Sequence, residues 1–371
     1  MDAQHVDRRS ILKMLAAAGA AAPYAIGHGM ANAQAPLTVG ILYSGSKQDY
    51  GYNQSHAQAA AALKKVPGIK VVEEERVPET IAAQRSMEGM IRQDGAKLIL
   101  ATSFGYFKPH VLEMAAKYPA VTFAHAGGVW QPGMPENIGT FYGYIFAAQY
   151  ISGVVAGHMT KTRKLGIVAA KPTPNLVRSI NAFTIGARSV DPSIQVQVIF
   201  TGDWVLPVRE AESANTLADQ GIDVIGCNVD SPKVVVETAE KRGVMSIGYH
   251  SSQADVAPKL FLTGAEWNWI VPYMAFVDGV RKGAKPTHYL RAGLAENFVK
   301  NTPFGKAVTP QALAAADKAR TEIAAGKRVI YSGPLKDNKG NVVIPAGTVI
   351  KDNDPALDPI NYLVEGVIGH I

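Results

Sequence analysis

Residues Leu37–Gln54 read LTVGILYSGSKQDYGYNQ, and this stretch decides the fold. Its first six residues are apolar and predict a short buried strand. A loop of small residues follows, then Tyr50 and Tyr52, and a helical pattern begins at Asn53. A strand that runs through such a loop into a helix places backbone N–H groups at the carboxyl edge of a sheet, where open α/β folds bind ligands. The two tyrosines favour a flat aromatic ligand, although an ordinary βα turn with two surface tyrosines explains the same residues.

Residues 1–33 are typical of an export signal. Arg8-Arg9 stands in the run DRRSILK, an apolar Ala-rich stretch follows, and Ala31-Asn32-Ala33 is a small-x-small cleavage site. The apolar stretch is too short and too rich in glycine and alanine for a stable membrane span. Because the only cysteine is Cys227, the signal contains no cysteine that could carry a lipid. We expect export by the twin-arginine route, cleavage near Ala33 and a protein that is free in the periplasm.

The composition describes a globular protein. Hydrophobic residues make up 47% of the chain and charged residues 18%, and the net charge is +6. Lys and Arg form no cluster interleaved with aromatic residues, so nucleic acid is not an expected partner. A single cysteine excludes an internal disulfide and any metal cluster built on cysteine.

Apolar strand patterns alternate with helix patterns along most of the chain. This βαβ order predicts a parallel sheet flanked by helices, and it occurs in two successive arrays of similar size. We therefore predict an α/β fold of two lobes, of the type I periplasmic-binding kind. The first lobe is predicted to contain 36–143 plus about 264–288, and the second 144–263 plus about 289–371. In the tail, Asp337-Asn338-Lys339-Gly340 predicts the turn of a hairpin that decorates one lobe.

The loops after the predicted strands share one chemistry, since small polar side chains and aromatic rings recur in them. Aromatic faces can sandwich a planar ring, while hydroxyl, amide and carboxylate groups can bind its rim. Each loop alone could be a plain turn with a core aromatic residue, but the recurrence at one edge favours a ligand site. The residues that we select from these loops are Ser103, Phe104, His125, Trp204, Asn228, Asp230, Tyr249 and Trp267.

Catalytic motifs are few by comparison. Gly40 and Gly45 have the spacing of a phosphate-binding loop, but Ser46 precedes Lys47 where that motif needs lysine directly after glycine. The sequence contains neither a Gly-x-Ser-x-Gly nor a His-Glu-x-x-His run. We expect no enzymatic activity, no cofactor and no metal.

The chain resembles the basic-membrane-protein family of ABC-transporter substrate-binding proteins, which includes purine-nucleoside receptors. The resemblance covers most of residues 36–290. The segments that carry it are Gly51-Tyr52-Asn53-Gln54, the helix run QYISGVVAG at 149–157, NAFTIGA at 181–187, Thr201-Gly202-Asp203-Trp204 and GIDVI at 221–225.

This resemblance implies a two-lobed protein that closes on a purine and delivers it to a membrane permease. It implies ligand contacts for Tyr52 and Asn53 in the first lobe, and for Phe183 and Trp204 in the second. Such a protein is expected to be a monomer, because the two lobes must be free to open.

Three departures from the family pattern concern the ligand. Tyr249-His250 stands where relatives tend to have an aspartate, and Trp267 where they often have a lysine. These bulky rings should fill the space of a ribose and remove its partners, which favours adenine or a related free base over a nucleoside. His125 stands where relatives tend to place an acidic residue that binds the base, so the identity of the base stays open.

Two other functions are compatible with the sequence. An exported nucleoside hydrolase would need a carboxylate cluster, which Asp49, Asp203 and Asp230 could form if they converge. A ligand-sensing subunit of a membrane receptor would share the fold and the pocket.

Overall fold

The computed structural model describes residues 35–371, so the export signal predicted for 1–33 lies outside the described residues. The strand predicted from the decisive stretch is β1, Leu37–Leu42, and its residues are almost entirely buried. It lies inside a six-stranded parallel sheet, the first sheet, in the order β11-β5-β4-β3-β1-β2. The other strands of this sheet are β2 Ile69–Glu74, β3 Leu98–Ala101, β4 Thr122–Ala126, β5 Ile138–Gly143 and β11 Leu290–Ala292.

The second sheet has seven strands in the order β12-β10-β9-β8-β6-β7-β17, and only the pair β10–β12 is antiparallel. Its strands are β6 Lys164–Ala169, β7 Gln195–Phe200, β8 Val224–Asn228, β9 Met245–His250, β10 Phe261–Trp267, β12 Val299–Asn301 and β17 Val367–Ile368. The α/β fold with two parallel sheets is confirmed. The predicted lobe limits stay a prediction, and β11, from the range 289–371 assigned to the second lobe, pairs with β5 of the first sheet.

Helices connect the strands of both sheets. In the described residues they are α1 Tyr52–Leu63, α2 Ile81–Arg92, α3 Leu112–Lys117, α4 Phe146–Met159, α5 Pro174–Arg188, α6 Pro207–Asp219, α7 Lys233–Lys241, α8 Ile270–Arg281 and α9 Pro310–Ala324. None of them combines the length and the apolar character that crossing a bilayer needs. The alternation of helices with strands agrees with the βαβ order that the sequence predicts.

The tail after α9 contacts α5 and pairs with β7 of the second sheet. The predicted hairpin is present as β14 Leu335–Lys336 paired with β15 Val342–Ile344, and β13 Tyr331–Ser332 pairs with β16 Val349–Ile350. Asn181 of α5 is fully buried under this tail. Its amide donates to Tyr362 O at 2.8 Å and accepts from Val364 N at 3.0 Å, which fixes the tail backbone against α5.

Helices α4 and α5 touch backbone to backbone. A Cβ added at Gly153 would lie 2.0 Å from Phe183 O, and one added at Gly186 would lie 2.1 Å from Tyr150 O. The small residues in the QYISGVVAG and NAFTIGA segments are therefore required by close packing.

We predict that Gly153→Ala lowers the free energy of unfolding by about 2–3 kcal/mol, because the helices must separate to admit the methyl group. Gly89→Ala in α2 is the matched control, since no atom lies within 4 Å of the added Cβ; it should be neutral or slightly stabilising. Urea denaturation measures both changes. Equal stabilities of the two variants would contradict this account of the helix contact.

Candidate functional site

The loops at the carboxyl edges of the two sheets meet directly. Tyr52 N donates to Asp230 O at 2.9 Å, and Ser231 Oγ donates to Asp49 O at 2.8 Å. Tyr50 O accepts from Ser251 Oγ at 2.9 Å and from the amide of Gln253. We call the contact of residues 49–52 with 230–231 and 251–253 the loop interface. It joins the stretch that opens α1 to the ends of β8 and β9.

Backbone geometry makes the loop interface possible. A Cβ at Gly51 would lie 2.0 Å from Asp230 O, so only glycine permits this approach. Tyr50 has φ 58°, in the left-handed region that a non-glycine residue seldom adopts. Its carbonyl oxygen is thereby held where Ser251 and Gln253 donate to it.

Behind the loop interface lies a cluster of aromatic rings, which we call the aromatic cluster. Trp267 and Trp269 stack at 4.5 Å and 17°, and His56 stacks on the other side of Trp269 at 4.5 Å and 6°. Tyr142 packs against Trp267 at 5.0 Å, and Tyr52 meets His56 edge to face at 4.8 Å. Rings from α1, β5 and β10 thus form one apolar wall.

Buried hydrogen bonds fix the orientation of these rings. Tyr52 Oη donates to Thr102 O at 2.6 Å, and Trp269 Nε1 donates to Ser55 Oγ at 2.9 Å. Burial raises the pKa of Tyr52 well above its usual value and lowers the pKa of His56 well below its usual value. Both rings are therefore neutral at physiological pH, as a wall for an uncharged planar ligand requires.

Polar groups of the second sheet face the same region. Asn228 ends β8, is buried, and its Nδ2 has no hydrogen-bond partner among the described residues. Burial raises the pKa of the neighbouring Tyr249 well above its usual value. Asp230 follows β8, and its Oδ1 lies 3.5 Å from His250 Nε2. Amide, phenol, carboxylate and imidazole groups thus lie beside the aromatic wall.

Several predicted site residues hold loops in place. Asn53 Oδ1 accepts from Gly45 N at 3.1 Å and Asn53 Nδ2 donates to Asp49 Oδ2 at 2.8 Å, so its amide is used within its own loop. Ser103 Oγ donates to Glu79. His125 Nε2 donates to Ser103 O at 2.8 Å, because a carbonyl oxygen can only accept.

The structure brings Tyr52, Asn228, Asp230, Tyr249 and Trp267 together and places the remaining predicted aromatic residues elsewhere. Phe183 is 1% exposed in the core that includes α4 and α5, a different core cluster from that of Tyr249 and Trp267. Phe104 is 75% exposed and Trp204 is 36% exposed. The ring of Tyr50 lies under Lys233 Nζ at 4.9 Å from its centroid. Their predicted ligand contacts stay predictions.

Three residues of the site are absent from those that we selected from the sequence: His56, Tyr142 and Trp269. His250 was considered there only as a ring that fills the space of a ribose. Two of the three absent residues had a usable signal. His56 follows Tyr52 by four residues, so both lie on one face of α1, and Trp269 follows Trp267 by two residues.

With this geometry established, comparison with known proteins identifies the family. The model of the PnrA-like ABC transporter substrate-binding protein family matches residues 37–338. The chain belongs to this family.

Individual relatives agree with this assignment. A purine-binding protein of Brucella abortus is 33% identical over 91% of this chain and 95% of its own length. A protein of Haloferax volcanii, named as a glucose-binding protein of an ABC transporter, is 32% identical over 66% of this chain and 61% of its own length. The solved structure of a solute-binding protein of an ABC transporter from Conexibacter woesei has a TM-score of 0.67 at 21% identity, covering 79% of this chain and 97% of its own. The family and the fold are shown, whereas the names of the relatives differ in ligand.

We predict that His125 makes the protein sensitive to acid. Burial lowers its pKa to about 4, whereas in the unfolded chain it titrates near its ordinary value of about 6.5. As the pH falls below about 6.5, only the unfolded state takes up this proton, so the free energy of unfolding falls by about 1.4 kcal/mol per pH unit until about pH 4.

The control variant is His125→Gln, whose amide can still donate to Ser103 O but does not titrate. Urea denaturation between pH 7 and pH 4 should show a shallower loss of stability in this variant than in the wild type. His56 stays in both proteins and affects both curves alike. Parallel curves would show that His125 does not contribute to the pH dependence.

Proposed function

We propose that this protein is the periplasmic substrate-binding component of an ABC importer and that it binds a free purine base such as adenine. The observation that carries the proposal is the aromatic cluster, in which one of two stacked tryptophans bonds to His250 and His250 lies beside Asp230. A purine has two apolar faces and a rim of N–H donors and nitrogen acceptors, and this arrangement matches both. The purine-binding relative from Brucella abortus, similar over nearly its whole length, supports the same ligand class.

The preference for a free base over a nucleoside rests on the space that buried side chains fill. Tyr249, His250 and Trp267 are 3%, 5% and 4% exposed, so their rings are packed inside the protein. We infer that they fill the space that a ribose would need. Trp267 Nε1 donates to His250 Nδ1 at 2.7 Å. Because this bond ties the two rings together, neither can turn aside for a sugar without leaving a buried polar group unpaired.

The site is less suited to a free sugar. Sugars bind through several hydroxyl groups, each of which needs an amide or carboxylate partner. Asn53 is used within its own loop, and Asp203 is paired with Lys171 at 2.8 Å. The glucose named for the Haloferax volcanii relative is therefore not the ligand that we propose for this chain.

Binding without chemistry is supported by the separate roles of the three carboxylates that a hydrolase could use. Asp49 accepts from the backbone N–H groups of Gly51, Asn53 and Gln54, and Asp203 pairs with Lys171. Only Asp230 faces the aromatic cluster. We therefore favour transport over hydrolysis; a sensing subunit would use the same site with a different membrane partner.

Export and delivery complete the proposal. The twin-arginine motif at Arg8-Arg9 and the cleavage site near Ala33 support release into the periplasm without a lipid anchor. The partners would be the purine and a membrane permease, and the protein would act as a monomer. Closure of the two sheets on the ligand would present the closed form to the permease.

We predict that adenine binds at least about tenfold more tightly than adenosine in isothermal titration calorimetry, since the ribose has no space. Trp267→Ala should weaken adenine binding by about tenfold or more, because the aromatic cluster loses a ring and His250 loses its hydrogen-bond partner. The substitution should weaken adenosine binding less, because removal of the indole opens space for the sugar. Tighter binding of adenosine than adenine by the wild type would refute the preference for a base.

A second prediction concerns the loop interface. Gly51→Ala should push the loop away from Asp230 O and favour an open form, so that adenine affinity falls by about tenfold or more. Small-angle X-ray scattering with adenine present should show a larger radius of gyration than for the wild type. Gly279→Ala in α8 is a control, since no described atom lies within 4 Å of its added Cβ. An unchanged radius for Gly51→Ala would contradict the closing role of the loop interface.

A further inference from the structure

His250 has an unpaired donor in the site. The residue ends β9 with φ 70°, a left-handed conformation that places its ring next to Tyr52, 5.3 Å between centroids. Its side chain is 5% exposed, and Nε2 has no hydrogen-bond partner within residues 35–371. A buried polar atom without a hydrogen-bond partner destabilises the folded protein, so its presence calls for an explanation.

Trp267 determines which nitrogen of His250 carries the proton. The indole Nε1 can only donate, and it lies 2.7 Å from His250 Nδ1. Nδ1 must therefore offer its lone pair, and the neutral ring carries its hydrogen on Nε2. The unpaired atom of His250 is thus a donor.

An acceptor lies beside this donor. Asp230 Oδ1 is 3.5 Å from His250 Nε2, too far for a good hydrogen bond but close enough for both atoms to contact one small ligand edge. The backbone of Asp230 is held by two hydrogen bonds, from its own N to Trp204 O at 3.0 Å and from Tyr52 N to its O at 2.9 Å. The backbone that carries the acceptor is therefore held in place beside the aromatic cluster.

We propose that His250 is a specificity-determining residue, whose Nε2–H donates to purine N3 while Asp230 accepts from N9–H; this inference rests on the proposed function. In a purine these two nitrogens are separated by one ring carbon and present a donor and an acceptor side by side. Trp267 and Tyr249 lie in the region that a substituent on N9 would enter. A nucleoside lacks the N9 hydrogen and cannot donate to Asp230. His250 and Asp230 therefore select the free base by hydrogen bonding, in addition to the lack of space for a sugar.

The test is a thermodynamic cycle measured by calorimetry. Wild type and His250→Phe are each titrated with adenine and with 3-deazaadenine, in which a C–H group replaces N3. The wild type should lose about tenfold in affinity for 3-deazaadenine, as expected when a buried donor loses its acceptor. His250→Phe should bind adenine about tenfold more weakly and should not distinguish the two ligands.

Two controls separate this contact from general damage to the site. The ligand 7-deazaadenine keeps N3 and N9–H, so its loss of affinity should be the same in wild type and His250→Phe. His250→Gln, whose amide nitrogen can take the place of Nε2, should restore discrimination between adenine and 3-deazaadenine. If His250→Phe fails to fold, the comparison of 3-deazaadenine with 7-deazaadenine on the wild type and on His250→Gln still decides the question.

The outcomes distinguish the two proposals. Failure of adenine to bind the wild type would refute the proposed function and this inference with it. Tight adenine binding with equal affinity for 3-deazaadenine, or with full discrimination retained in His250→Phe, would leave the proposed function intact and overturn the role of His250.

Discussion

The site depends on one close approach, that of the backbone at Gly51 to the carbonyl oxygen of Asp230. Tyr52 N donates across this gap at 2.9 Å, so the first turn of α1 is attached to the end of β8. Because Tyr52 and His56 lie on the same face of that helix, the attachment also sets where their rings meet the tryptophans. A side chain at Gly51 would move the helix start and with it the aromatic wall. The two sheets contribute many residues, but this backbone contact aligns them.

The aromatic wall is assembled from elements that are distant in sequence. Tyr52 and His56 come from α1, Tyr142 from β5, and Trp267 and Trp269 from the end of β10 and the turn before α8. Stacked and edge-to-face rings gain both buried area and favourable ring contacts, each pair worth about 0.5–1.5 kcal/mol beyond area. Every polar tip needs a partner, and Thr102, Ser55 and His250 supply them to Tyr52, Trp269 and Trp267. The wall is therefore rigid, so that little side-chain entropy is lost when a ligand binds.

Local pattern predicted much of the fold and only part of the site. The bounds of β1 follow from its six apolar residues, and the βαβ alternation predicts both parallel sheets. Site residues that directly follow a predicted strand, such as Asn228 and Tyr249, were found because strand ends share one edge. Tyr142 was missed as a site residue, since only tertiary contacts bring its ring to the cluster. Short strands such as β12 and β17 have too few residues for a periodic signal and owe their conformation to pairing partners.

The pairing of β17 with β7 has a consequence for folding. These two strands lie far apart in sequence, so this edge of the second sheet stays open until β17 has docked. Until then β7 presents unpaired backbone groups, a template on which a second partly folded chain could add a strand. Pairing between such distant segments is also slow, because a long loop must close first. The risk of aggregation for this protein is therefore greatest before β17 has paired with β7.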